Sequence, residues 1–247
     1  SDGADSSKGK AVVGTVSGTS ISFGTIVEFE AGATSSVSAT FDSNSNRIVI
    51  AYRDGGNSNY GTSIVGTVSG TDISFGTAVV FNSAAVTYTA TTFDSSNNKV
   101  VISYRDGGDG GKIKAKVGTV SGTSISFGSA ADISTGNAGY TVSTFDSDSN
   151  KVIVAFQDTD NSSHGKARVG TVSSTSISFG TVATFHSATT TQIGIAFDST
   201  TNKFLIAFTD DSDSDKGKYV TGSISGTTPS FGSETVLDSG RALQSTV

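Results

Sequence analysis

Hydrophobic and polar positions follow a pattern that recurs along the chain every 52 residues. A Phe-Asp-Ser triplet repeats at this spacing, beginning at Phe41, Phe93, Phe145 and Phe197. A Phe-Gly pair repeats at the same spacing, from Phe23-Gly24 to Phe231-Gly232. A fixed period near 50 with strand-like content is typical of one supersecondary unit in tandem.

One repeat, residues 88–135, predicts four strands. Residues 88–93 alternate between apolar and polar, whereas residues 99–104 are apolar on both faces, which indicates a strand covered on both sides. Residues 115–120 and 125–127 follow as a hairpin pair. Pro229, the chain's one proline, falls in the last of these strands. Because proline lacks the N–H that an interior ladder needs, this strand is predicted at the outer edge.

The pattern predicts an all-β fold, a β-propeller of four-stranded antiparallel blades that forms a single domain over 1–247. The repeat register is 1–52, 53–104, 105–156, 157–208 and an incomplete 209–247. The count is five blades if the chain closes on itself, and six or more if the natural chain continues. The closing blade would take its inner strand from 244–247 and its outer two from the N-terminus, so its second strand is missing. Continuation of the chain, strand donation by a partner in self-assembly, and a three-stranded last blade are the alternatives.

The unit resembles a kelch-like or sialidase-like propeller blade, with a small-residue inner strand and an apolar second strand that ends in Asp. The chain has no Trp, so it lacks the Trp of kelch blades and the Ser-x-Asp-x-Gly-x-x-Trp box of sialidases. Unlike kelch blades, it also has no Gly-Gly pair that recurs in every repeat. The resemblance therefore implies an architecture and no activity.

Composition and charge limit the classes of partner and site that the chain can have. The net charge is -6, and Lys and Arg are scattered singly, which argues against nucleic acid. No apolar run reaches the roughly 20 residues of a membrane span. The chain has no Cys, which excludes disulfides and Cys-based metal or redox sites. An acidic composition rich in Ser, Thr and Asn favours an extracellular or virion-surface setting.

A recurring Asp follows each second strand and is the main candidate for a site. Its members are Asp2, Asp54, Asp106, Asp158 and Asp210. In a propeller these carboxylates would form a ring on one face, where each can simply cap its own loop. The alternative is a set of repeated shallow pockets in which these Asp residues, with Arg53, Arg105, Tyr60 and His164, hold hydroxyl-rich ligands.

Calcium is the metal to consider. Asp211, Asp213 and Asp215 place carboxylates at alternate positions, as oxygen-ligand loops do. The loop lacks the Gly at position 6 and the Glu at position 12 of the EF-hand pattern, so a solvated loop is the alternative. No other cofactor is predicted.

No catalytic motif stands out. His164 and His186 occupy different repeat positions, and the repeats look too uniform to build the asymmetric carboxylate pair of a glycosidase. The sequence therefore predicts a non-enzymatic binding or display module, used in adhesion, whose partner is a glycan or another surface protein. The first alternative is a structural building block of a fibre, appendage or phage tail. The second is a glycosidase-like propeller enzyme.

Overall fold

The computed structural model describes residues 6–242, and nearly all of them lie in β-strands or the turns between them. This confirms the all-β class. Asp2 and the predicted inner strand at 244–247 lie outside the described residues. Within 6–242, no helix has the length and apolar character needed to cross a membrane.

The strands recur with the sequence period. Three short strands come first: β1 (Lys8–Ala11), β2 (Gly14–Ser17) and β3 (Ser20–Phe23). Long strands of 16 residues follow once per repeat: β4 (Val27–Asp42), β8 (Val79–Asp94), β12 (Ala131–Asp146) and β16 (Ala183–Asp198). After each comes an apolar strand: β5 (Arg47–Asp54), β9 (Lys99–Asp106), β13 (Lys151–Asp158) and β17 (Lys203–Asp210).

Each repeat ends in a hairpin. Its first arms are β6 (Tyr60–Ser69), β10 (Lys112–Ser121), β14 (His164–Ser173) and β18 (Lys216–Ser225). Its second arms are β7 (Asp72–Phe75), β11 (Ser124–Phe127), β15 (Ser176–Phe179) and β19 (Thr228–Phe231). The final strand is β20 (Thr235–Arg241).

The antiparallel pairing confirms the predicted order of strands. In the second repeat, the second half of β8 pairs with β9, β9 pairs with β10, and β10 pairs with β11. We call each such set a unit and number the units one to four from β4. Pro229 lies in β19, which pairs only with β18 among the described strands, so the proline does stand on an outer edge.

The long strands link one unit to the next, which the sequence pattern did not show. The first half of β8 extends the outer edge of unit one by pairing with β6, and its second half becomes the inner strand of unit two. Eighteen of the described strands therefore form one continuous sheet, with β2 and β3 as a separate hairpin.

The core lies between successive units. Val49, Ala51 and Val65 of unit one pack in one cluster with Ile102 and Tyr104 of unit two. Ile102 is fully buried, as a second strand apolar on both faces requires. The apolar layers therefore stack along the repeat direction.

Glycine permits a second contact between units. A Cβ on Gly76 would lie 2.0 Å from the carbonyl oxygen of Thr123, and one on Gly128 would lie 1.9 Å from that of Thr175. The hairpin of one repeat thus sits directly on the Phe-Gly turn of the preceding repeat. This close approach explains why the Phe-Gly pair recurs.

The described strands do not close into a ring. β20 pairs with β18, and β1 pairs with β4, but no described pair joins the two ends of the sheet. β1, β2, β3 and the first half of β4 match the third and fourth strands of a further unit. The closed five-bladed ring is therefore not established by residues 6–242.

Candidate functional site

The repeated Asp ends each second strand, and in units one, two and four it caps the loop that follows. Asp54 Oδ1 accepts a hydrogen bond from Asn57 N at 3.1 Å, and Asp210 Oδ1 accepts one from Ser212 N at 2.9 Å. Asp106 makes the same kind of bond. The three carboxylates are nearly buried, with 7%, 3% and 6% of each residue exposed for Asp54, Asp210 and Asp106.

A lysine on the third strand neutralises this Asp in three of the four described units. The Lys Nζ to Asp Oδ2 distances are 3.5 Å for Lys114–Asp106, 2.6 Å for Lys166–Asp158 and 2.7 Å for Lys218–Asp210. In unit one the corresponding residue is Thr62, whose buried hydroxyl makes no hydrogen bond to a described residue. Asp54 therefore lacks the cation that its counterparts have.

A second repeat position also distinguishes the surroundings of Asp54 from those of its counterparts in the other units. It lies on the long strand beside the Asp and is occupied by Glu30, Asn82, Ser134 and His186 in turn. Asn82 donates a hydrogen bond to Asp106 at 3.1 Å, which is a neutral contact. Glu30 instead places a second carboxylate next to Asp54. The repeats are thus less uniform in their polar residues than in their core.

The recurring Asp of unit one and that of unit four have pKa shifts in opposite directions. Burial, and then the charge of Glu30, raise the pKa of Asp54 above its ordinary value, and hydrogen bonds from Gly56 and Asn57 offset this only in part. At Asp210 burial acts in the same direction, but hydrogen bonding by Lys218 and the charge of His186 outweigh it and lower the pKa. One buried carboxyl is thus driven toward its protonated form and the other toward its charged form.

Glu30 is held firmly beside Asp54. Tyr52 Oη donates a hydrogen bond to Glu30 Oε2 at 3.0 Å, and Gly32 N donates to Oε1 at 2.9 Å. A buried carboxyl with a raised pKa beside a second carboxyl is the usual starting arrangement for a general acid. The sequence interpretation missed Glu30, because its relation to Asp54 depends on pairing between strands 24 residues apart.

Two clefts open at equivalent positions between neighbouring units. The larger, of about 490 Å³, lies between units two and three and is lined by Tyr88, Arg105, Asn137 and Gln157. The smaller, of about 200 Å³, lies between units three and four and is lined by Tyr140, Gln192, Asp211 and Asp215. Shallow repeated pockets were one of the two alternatives for the recurring Asp, but none of its described members, Asp54, Asp106, Asp158 and Asp210, lines either cleft, and ligand binding by these residues stays a prediction.

Tyrosines at strained backbone positions stand at these clefts. Tyr88 and Tyr140 have φ of 50° and 47° and sit where the inner strands shift register. A bulky residue with positive φ is unusual and costs free energy, and such residues cluster at functional sites. The two rings lie 5.1 Å apart, centroid to centroid. The sequence placed both residues in regular strands and did not predict the bulges.

Of the four other residues predicted to bind a ligand, only Arg105 lines one of these clefts. Arg105 lines the larger cleft, whereas Arg53 Nη1 contacts Ser35 Oγ at 3.4 Å. Tyr60 and His164 begin third strands, opposite Asp54 and Asp158 in the ladder, and line neither cleft.

The three carboxylates predicted for calcium have different surroundings. Asp211 Oδ1 accepts a hydrogen bond from Thr191 at 2.6 Å, Asp213 bonds Lys216 at 2.8 Å, and Asp215 lines the smaller cleft. Among the described residues, no group of three or more acidic or histidine side chains is arranged to hold a metal ion. Calcium binding stays a prediction.

Comparisons with known proteins give structural likeness only. No protein-family model matches the chain, and no curated protein matches it. A triple arginine-to-alanine variant of AofleA from Arthrobotrys oligospora has a TM-score of 0.57 at 10% identity, over 98% of this chain and 75% of that one. An exo-β-1,3-galactanase from Phanerochaete chrysosporium, solved with β-1,3-galactotriose, has a TM-score of 0.50 at 11% identity. That match covers 94% of this chain and 54% of the galactanase chain.

These neighbours correct the functional prediction. The interpretation as a non-enzymatic module, and with it the prediction that the protein is not an enzyme, does not stand, because this β-rich fold also occurs in a galactan-cleaving enzyme. At 11% identity the likeness shows the fold alone. That prediction assumed that the repeats are too uniform to build an asymmetric carboxylate pair. This assumption fails as well, because Glu30 and Thr62 make the surroundings of the buried Asp54 different from those of its counterparts. Neither the kelch nor the sialidase resemblance gains family support.

Proposed function

We propose that this protein is a glycosidase-like enzyme in which Asp54 and Glu30 are the catalytic carboxyl pair. The observation that carries the proposal is the raised pKa of Asp54, a buried carboxyl that faces another carboxyl and lacks the lysine present in every other described unit. Glycoside hydrolysis needs one carboxyl that keeps its proton and another that acts in the charged form.

The roles follow from the surroundings. Asp54 donates its proton to the glycosidic oxygen as the bond from that oxygen to the anomeric carbon breaks. Glu30, oriented by Tyr52 and Gly32, either takes a proton from the attacking water or attacks the anomeric carbon itself. In both cases water supplies the hydroxyl of the product. If Glu30 takes the water proton, it releases that proton to solvent and Asp54 is reprotonated from solvent; if Glu30 attacks the anomeric carbon, Asp54 takes the proton of the water that hydrolyses the glycosyl intermediate.

A β-linked galactan is the first substrate to test. The galactanase neighbour was solved with β-1,3-galactotriose, and the fold likeness makes that the rational starting point. The two clefts, which neither Asp54 nor Glu30 lines, support a sugar ligand for the protein independently of that pair, because an exposed tyrosine such as Tyr88, 40% exposed, offers a flat ring to a sugar face.

The test is release of galactose from β-1,3-galactan by the 247-residue chain. We expect Asp54→Asn and Glu30→Gln each to lower the rate by about 10²–10⁴-fold. Asp106→Asn is the matched control, because Asp106 holds the same repeat position but is paired with Lys114, and it should leave the rate unchanged. Activity should also decline as the pH rises through the pKa of Asp54. Equal losses in all three variants, or no release from a panel of β-linked galactans, would refute the proposal.

We further propose that the units are blades of a five-bladed propeller. In support, the inner strands of all four units line one central cavity of about 280 Å³, with Ser38, Ala90, Val142 and Gly194 at equivalent positions. The strands β1, β2 and β3 would belong to the fifth blade. In the described units, the hairpin strand of one unit contacts the third strand of the unit before it, as β15 contacts β10.

The cysteine-free chain allows a direct test of closure. One cysteine in β3 and one in β18 should form a disulfide only if the ring closes. An intramolecular crosslink at low protein concentration would support the propeller, and its failure would oppose it. Extracellular or virion-surface location and self-assembly stay predictions.

A further inference from the structure

The two equivalent clefts carry opposite charges. Arg105 lines the cleft between units two and three, whereas Asp211 and Asp215 line the cleft between units three and four. At the position of Arg105 the later repeats have Gln157 and Thr209, and at the position of Asp211 the earlier repeat has Thr159. We call the first the basic cleft and the second the acidic cleft.

Arg105 has hydrogen-bonding capacity left for a ligand. Its Nη2 and Nε donate to Asn137 Oδ1 at 2.9 and 3.3 Å, which fixes the guanidinium through a neutral amide. Nη1 donates to none of the described residues, and no described carboxylate lies within ion-pair distance of the side chain. In a chain of net charge -6, a cation that lines a cleft without an acidic partner favours an anionic ligand.

The rest of the basic cleft is preformed and suits a sugar ring. Gln157 is 8% exposed and is held by a 2.7 Å hydrogen bond from Nε2 to Thr190 O. Tyr88 is kept in place at its bulge by a 3.3 Å hydrogen bond from its backbone N to Ser36 Oγ. Gly139 forms part of the wall, where the acidic cleft has the bulkier Thr191, so the basic cleft is the roomier of the two.

We propose that the basic cleft binds a sugar carboxylate, such as the uronate residue of an acidic glycan. Arg105 pairs with the carboxylate, Tyr88 lies against the ring, and the amides of Asn137 and Gln157 bond its hydroxyls. The inference extends the proposed function by naming a ligand class, and it rests on that function only in taking the ligand to be a sugar.

The experiment compares binding of D-galacturonate, D-galactose and acetate to the full chain by NMR titration. We expect galacturonate to bind at least about tenfold more tightly than either galactose or acetate, since it alone offers both the charge and the ring. Arg105→Gln should weaken galacturonate binding about tenfold or more. Arg53→Gln is the matched control, because Arg53 holds the same repeat position but does not line this cleft, and it should change nothing.

A second variant controls for the case in which Arg105→Gln weakens binding by disturbing the fold. Thr159 is exposed at the cleft, so Thr159→Asp, which copies Asp211 of the acidic cleft, should fold normally and also weaken galacturonate binding. Equal binding of galactose and galacturonate, equal binding of acetate, or no effect of either cleft variant would overturn the inference. Binding is measured without hydrolysis, so the failure of the proposed enzyme activity and the failure of this inference are separate outcomes.

Discussion

Ile125 and Ile21 hold the same repeat position in opposite environments, and this makes a stringent test of the packing. Ile125 is 4% exposed and packs with Val49 and Val65 of the preceding unit, whereas Ile21 is 54% exposed. Truncating a buried isoleucine to alanine removes its transfer free energy and leaves a cavity, so Ile125→Ala should cost about 2–5 kcal/mol. Ile21→Ala should cost about 0.5 kcal/mol or less if the N-terminal hairpin is exposed as in the described strands, and about as much as Ile125→Ala if the proposed ring closes over it.

The assay is urea unfolding followed by circular dichroism, with the free energy of unfolding taken by linear extrapolation. In thermal melts the same difference should lower the Tm by about 4–20 °C for Ile125→Ala and by about 2 °C or less for Ile21→Ala. If both substitutions cost the same, the N-terminal hairpin is covered in solution. The exposed face described here would then be wrong, and closure of the ring would gain support.

Two further matched pairs test the repeat contacts. Gly128→Ala should destabilise the fold by more than about 1 kcal/mol, because its Cβ would overlap the Thr175 carbonyl, and a negligible cost in chemical denaturation would contradict the close approach. Gly232→Ala, whose Cβ would lie 3.4 Å from the nearest described atom, should be close to neutral if the ring is open, and a cost similar to that of Gly128→Ala would indicate that the N-terminal hairpin covers it. Asp54 has a raised pKa, so its contribution to stability is present below its unfolded pKa and is lost as the pH rises through the folded pKa. Asp54→Asn should therefore stabilise the protein at neutral pH relative to pH 4. Asp210 has a lowered pKa, so Asp210→Asn should destabilise the protein at neutral pH, and this cost should be lost as the pH falls through the lowered folded pKa; melting curves from about pH 2 to 7 check both signs.

The sequence by itself determined the period, the strand order within a unit and the Asp-capped loops. These features depend on short-range chemistry. Alternation fixes which residues face a sheet neighbour, a doubly apolar strand has to be covered on both sides, and Asp at the end of a strand caps the next turn. Pro229 fell on an outer edge for an equally local reason, the missing N–H.

Only the tertiary structure decided which polar groups share a site. Glu30 meets Asp54, and Arg105 meets Asn137, through strands and units that are far apart in sequence. The tyrosine bulges likewise arise where an inner strand shifts register against its partner, so Tyr88 and Tyr140 looked like ordinary strand residues. The repeat hid these differences, because the periodic signal comes from the apolar core, while the chemistry depends on single substitutions at buried polar positions whose neighbours are set by the pairing between strands.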